Sequence, residues 1–196
     1  MDLLPFYEEL SHACTKIGGL GEFVLMRVYQ TCIEMCADRG YTDIEELCTP
    51  QESIRNSEPC IRAVRMDNSV FYIQFAPEPR INVRILRRIQ SESKETTHIL
   101  LVSTHGGTSF CKHLPENISI ITYAQLFINI YRHEHVPKHT VVQKQDYEHI
   151  RDLEDHNIPR LMFTDPVALY LGLAIGDIVR IHRNSLHSSD YFRIVS

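Results

Sequence analysis

The sequence predicts an α/β N-terminal domain followed by a small α+β C-terminal domain, and three observations carry that prediction. The apolar run "THILLVST" has the length of a buried strand and lies between two other strand-like segments, "SVFYIQFAP" and "ISIITYA". The segment joining the first two, "INVRILRRIQSESK", repeats Val83, Leu86 and Ile89 at spacing three, which suits an amphipathic helix. Beyond Pro137 the pattern changes to a short extended piece, a helix and two short strands. Strand, helix, strand, turn, strand is the order of an α/β layer. The expected division is residues 1–135 and 136–196.

Taken in order, residues 23–39, "FVLMRVYQTCIEMCADR", put Val24, Val28, Cys32 and Met35 on one helical face. Leu25, Ile33 and Cys36 widen that face, and Gly40 ends the helix. Thr42 is expected to N-cap a helix over "DIEELC", with Glu45 three residues on. Residues 49–59 are polar and read as a loop. The strand over 69–77 ends at Pro77 and Pro79, and the following helix carries Arg80, Arg84, Arg87 and Arg88 along its polar side. Gly106-Gly107 turns the chain out of "THILLVST". "QLFINIYRHEH" runs into a break at Val136-Pro137, and "KHTVVQKQDYEHIRDLED" is an extended piece and a helix.

The stretch "RLMFTDPVALYLGLAIGDIVRI" holds two aspartates that look at first like an active-site pair. Each has a local explanation. Thr164 or Asp165 can N-cap a helix with Pro166 at its first position, and two turns then end at Gly172. Ala174 to Asp177 form a turn feeding the strand "IVRIH".

A net charge of -5 in 196 residues argues against coating nucleic acid by bulk attraction, so any such contact must come from a local patch. No window approaches the run of about 18 apolar residues that a membrane span needs, and the first residues show no secretory pattern. The six cysteines are therefore expected to be reduced, in a nuclear or cytosolic setting. Cys32 and Cys36 lack a CxxC partner, and Pro137 interrupts the set His133, His135 and His139, so no metal and no cofactor are expected. An alternative reading is a stand-alone nuclease-like or nucleotide-binding α/β protein. Its candidate Glu92-Ser93-Lys94 falls at the polar end of a helix rather than on a strand, and "STHGGTSFCK" lacks both phosphate-loop spacings. The turn with Thr108, Ser109 and Lys112 can still present backbone N–H groups and one charge to a phosphate.

"NIPRLMFTDPVALYLGLAIGDIVRIHR", preceded by "HEHVPKHTVV", resembles the C-terminal domain of the fifth common subunit of eukaryotic RNA polymerases, which has an archaeal equivalent. His133, Val136, Pro137, His139, Pro159, Arg160, Asp165, Pro166, Val167, Ala168, Tyr170, Gly172, Gly176, Val179, Ile181 and Arg183 carry the likeness. "MCADRGY" and "FYIQFAPEPRINVRILRRI" extend it into the N-terminal half. This chain departs from the family's pattern at Asn184 and Ser109, each in place of a proline.

The resemblance implies a non-catalytic subunit of a DNA-dependent RNA polymerase, resident in the nucleus, or in the cytoplasm for a viral copy. Its C-terminal domain would dock on the largest subunit, among other polymerase subunits. Its N-terminal domain would form part of the lower jaw, touching downstream duplex DNA weakly and without sequence preference. A homo-oligomer is not expected. Pro159, Arg160, Asp165, Pro166, Tyr170, Gly172, Gly176, Arg180 and Arg183 are the expected polymerase-interface residues, and Thr108, Ser109 and Lys112 the DNA-proximal ones.

Overall fold

Residues 19–92, 97–109, 114–115, 117–153, 157–182 and 190–196 are described by the computed structural model. They fall into two compact units, one ending at Ile128 and one beginning at Asn129. The division thus lies ahead of the expected 135/136 boundary. The reason is Asn129, whose side-chain amide donates to the Tyr170 hydroxyl at 3.0 Å, and Tyr131, whose ring stacks on Tyr170 with centroids 5.6 Å apart. Pro137 breaks regular structure inside the second unit instead of marking its start.

The first unit is built on a five-stranded sheet in the order β1 (Asp43–Glu46), β2 (Ile61–Val64), β3 (Val70–Phe75), β4 (Thr97–Ser103), β5 (Ile118–Thr122). β1, β2 and β3 pair antiparallel, and β3, β4 and β5 pair parallel. Helix α1 (Gly19–Asp38) buries Val24, Val28, Cys32 and Met35, the face its spacing predicts, and Gly40 follows at φ 82°. One face of β3 meets aromatic rings: Phe75 lies against Tyr29 and Tyr123, and Phe71 stacks on Tyr41 at 5.2 Å. On the opposite face α3 (Val83–Glu92) packs Ile85, Leu86 and Ile89 against Ile99, Leu101 and Ile118.

The 42–64 region corrects the sequence reading twice. "DIEELC" is not a helix, because Asp43–Glu46 pairs in register with Ile61–Val64 and sets Glu45 opposite Arg62 at 3.3 Å. The helix is α2 (Pro50–Asn56), in the segment read as a loop. Its N-cap Thr49 accepts from the Glu52 N–H while the Glu52 carboxylate accepts from the Thr49 N–H at 2.8 Å, and Pro50 takes the first helical position. Both Thr42 and Thr49 begin a T-x-x-E motif, and only the second is followed by a proline suited to a helix start. The short helix α4 (Tyr123–Phe127) closes the unit with a capping box of its own at Thr122 and Gln125.

The second unit has a four-stranded sheet in the order β6 (Lys138–Val141), β8 (Ile178–His182), β9 (Asp190–Val195), β7 (Arg160–Leu161). β7 pairs parallel to β9, and the other neighbours pair antiparallel. Helix α5 (Tyr147–Leu153) and helix α6 (Pro166–Leu171) complete it. Its core is Leu161, Ala168, Leu173, Val179 and Val195, with a second cluster of Val142, Ile150 and Ile178.

Candidate functional site

The second unit displays the conspicuous stretch as a chain of capped turns. Asp165 N-caps α6, accepting from the Val167 N–H at 2.8 Å, with Pro166 at the start. Six helical residues bury Val167, Ala168 and Tyr170 before Gly172 ends the helix at φ 66°. The Leu173 N–H then returns to the Ala168 carbonyl at 3.0 Å. Asp177 closes the next turn, its carboxylate accepting from the Ala174 N–H at 2.8 Å, with Gly176 at φ 93° between them. The Tyr147 hydroxyl donates to Asp177 at 3.3 Å and accepts from the Ile178 N–H at 3.2 Å. Both aspartates are therefore occupied in holding backbone, as the sequence predicts.

These turns converge on one end of the sheet. Gly176 donates to the Val195 carbonyl at 2.9 Å, Ser196 to Leu161 at 2.9 Å, and Phe163 to Ser196 at 3.0 Å. Pro159 and Arg160 join the same end, since Ile194 donates to the Pro159 carbonyl at 3.0 Å. The end exposes three large apolar side chains: Met162 at 66%, Phe163 at 44% and Ile175 at 73%. Ile175 carried a legible signal, an isoleucine set in a turn between Ala174 and Gly176.

Among the expected interface residues, Pro159, Arg160, Pro166 and Gly172 are exposed, and Asp165 and Gly176 partly so. Tyr170 is a correction. It is 2% exposed, stacked on Tyr131 and bonded to Asn129, so it supports the surface from beneath and does not reach a partner. Arg180 lies along β8, over the Phe192 ring and 3.7 Å from the Asp190 carboxylate. Arg183 is outside the described residues. His139, also part of the resemblance, is buried, and its Nδ1 donates to the Pro137 carbonyl at 2.7 Å. Burial lowers its imidazole below the ordinary range, so the ring is held neutral.

In the first unit, Thr108 and Ser109 flank the expected turn, and Lys112 is outside the described residues. Two of the turn's N–H groups are bonded inward. Gly106 donates to Ser103 Oγ at 2.9 Å, and Thr108 donates to the Ile81 carbonyl at 2.9 Å. Those bonds, with Ile81 N–H to Gly106 and His105 N–H to Pro79, set the turn against the entrance to α3. An open groove of about 420 Å³ runs past Thr108, Ser109, Leu114, Ile120 and Gln125.

Buried Cys32, Cys36 and Cys60 have their thiols pushed up by desolvation, the last two to about 12, which keeps them protonated and poor ligands. Among the described residues no group of three or more His, Cys, Asp or Glu side chains could hold a metal ion. Of the nuclease-like triplet, Ser93 and Lys94 lie outside the described residues. Among those described, no helix is long and apolar enough to cross a membrane.

A family model, RNA polymerase Rpb5, C-terminal domain, matches residues 128–195, which coincide with the second compact unit. The second unit is thus similar to the Rpb5 C-terminal domain. The likeness to Rpb5 proteins also reaches into the first unit. The chain is 26% identical over 205 aligned positions to the Caenorhabditis briggsae protein named DNA-directed RNA polymerases I, II, and III subunit RPABC1, covering 90% of this chain and 97% of that one. The Dictyostelium discoideum subunit rpabc1 is 25% identical over 185 positions, covering 85% and 93%. The Caenorhabditis elegans RPABC1 is 26% identical over 205 positions with the same coverage as its congener.

Proposed function

We propose that this chain is a non-catalytic subunit of a DNA-directed RNA polymerase, resident in the nucleus. Its second unit docks on the largest subunit, and its first unit forms part of the lower jaw beside downstream duplex DNA. The observation that carries this reading is the coincidence of the Rpb5 C-terminal domain with a compact unit whose capped turns expose Met162, Phe163 and Ile175. Exposed apolar side chains on a rigid backbone, rimmed by Pro159, Arg160, Asp165, Pro166, Gly172 and Gly176, suit a permanent protein interface. Arg180 and Arg183 complete the proposed docking set, and Thr108, Ser109 and Lys112 the proposed DNA-proximal set.

Affinity purification of the tagged chain from its native cells, followed by mass spectrometry, tests the assignment. Recovery of the largest polymerase subunit is expected, and a preparation containing no polymerase subunit would overturn it. A Met162→Glu/Ile175→Glu variant should recover at least tenfold less of that subunit while keeping its circular dichroism. Unchanged recovery would move the docking face elsewhere.

A further inference from the structure

We propose that the exposed face of α3, formed by Arg84, Arg87 and Arg88 with Arg80 at its entrance, is a rail for the phosphate backbone of duplex nucleic acid. The inference rests on the reading of this chain as a polymerase subunit near DNA, and names the element of the first unit that makes the contact.

The charge on this face is largely unused within the described residues. All four arginines are exposed, and among the described residues no carboxylate pairs with Arg80, Arg84 or Arg87. Arg88 makes one long bond, 3.5 Å, to the Ser57 carbonyl. Arg84 and Arg87 stand at i, i+3 and Arg84 and Arg88 at i, i+4, spacings at which like charges repel. A chain of net charge -5 that nevertheless gathers four guanidinium groups around one ten-residue helix has a local cationic face.

Geometry favours a phosphate polyanion. The rise from Arg84 to Arg88 is about 6 Å, enough to meet two phosphates of one strand spaced about 3.4 Å along the duplex axis. Arginine's planar fork binds phosphate oxygens in pairs. Pro79 and Ile81, on either side of Arg80, are bonded through their backbones to His105, Gly106 and Thr108, so the rail continues into the turn already assigned to the DNA side.

A protein partner fits less well. Protein interfaces centre on apolar or aromatic anchors, and α3 exposes no large hydrophobic side chain among its described residues. The same absence disfavours single strands, which stack on exposed aromatic rings.

The test uses the full chain, wild type and Arg84→Gln/Arg87→Gln, with fluorescence anisotropy on two short duplexes of unrelated sequence across a salt series. The variant should bind both duplexes roughly tenfold more weakly, and its log–log salt slope should be shallower by about 2. Arg62→Gln, on strand β2, should match the wild type. Equal affinity and slope in the double variant, or no duplex binding by the wild type at low salt, would overturn the rail. So would displacement of the duplex by polyglutamate at matched charge, which would mark an acidic-protein site, or a preference for single strands. Recovery of the largest polymerase subunit, measured in parallel, should be unaffected by the double variant. If the wild type recovers none, the subunit reading fails while the anisotropy still decides the rail.

Discussion

Among the first unit's largest buried side chains, Phe71, Ile73 and Phe75 come from one strand and Leu100 and Leu101 from another that starts 22 residues beyond its end. The turns that form the second unit's exposed end are instead closed by bonds spanning two to four residues: Asp165 to Val167, Gly172 to Ala168, Ala174 to Asp177. Order in the first unit depends on long-range pairing, which is cooperative and fails as a whole. The second unit's exposed end takes the shape of its turns from local backbone chemistry, so a single turn can change at modest cost to stability.

Four experiments sharpen that contrast. The largest effect is expected from Phe75→Ala, which removes a fully buried ring between Tyr29 and Tyr123 and should destabilise the first unit by about 3–5 kcal/mol. Hydrogen exchange should accelerate across β1 to β5 together, and confinement of the change to β3 would break the cooperative picture. Asp177→Ala deletes the acceptor for Ala174 and Tyr147 and should cost about 1–3 kcal/mol. The telling readout is faster exchange at Ala174 and Ile178 with the remaining β8–β9 amides still protected.

Thr49→Ala removes an exposed capping box and should cost about 1 kcal/mol in denaturant midpoint, with Thr49→Asp restoring most of it. An equal loss for Thr42→Ala would contradict the strand assignment of residues 43–46. The last effect is set by pH. His139 has a lowered folded value, so the unfolded chain binds the proton more tightly. Its contribution is complete above its ordinary 6.5 and is lost as pH falls through 6.5 toward the folded value. The second unit's urea midpoint should drop between about pH 7 and about pH 5, and His139→Gln should flatten the slope.

The contrast also explains what could be read from the sequence. Helix α1, strands β3, β4 and β5, and the caps at Asp165 and Gly172 were legible because each announces itself within a few residues. β1 and β2 were not, because "DIEE" and "IRAV" are strands only by virtue of each other, and a T-x-x-E motif at Thr42 imitates a helix start. The boundary was misplaced for a similar reason: Pro137 is visible locally, while the bond from Asn129 to Tyr170 spans 41 positions. Tyr170 entered the candidate surface because a motif gives no sign of depth. Met162 and Phe163 were not singled out because hydrophobicity alone does not distinguish a core position from an exposed one.

The placement of β9 between β8 and β7 sets an order of events during synthesis. The second sheet has no continuous ladder until residues 190–195 have left the ribosome, whereas the first unit's last helix ends at Phe127. At about 5–20 residues per second, the 68 positions from Phe127 to Val195 represent a head start of roughly 3 to 14 s. The first unit can thus be folded while the second is still being made, so the end of the second sheet that carries Met162, Phe163 and Ile175 is the last part of the chain to be completed.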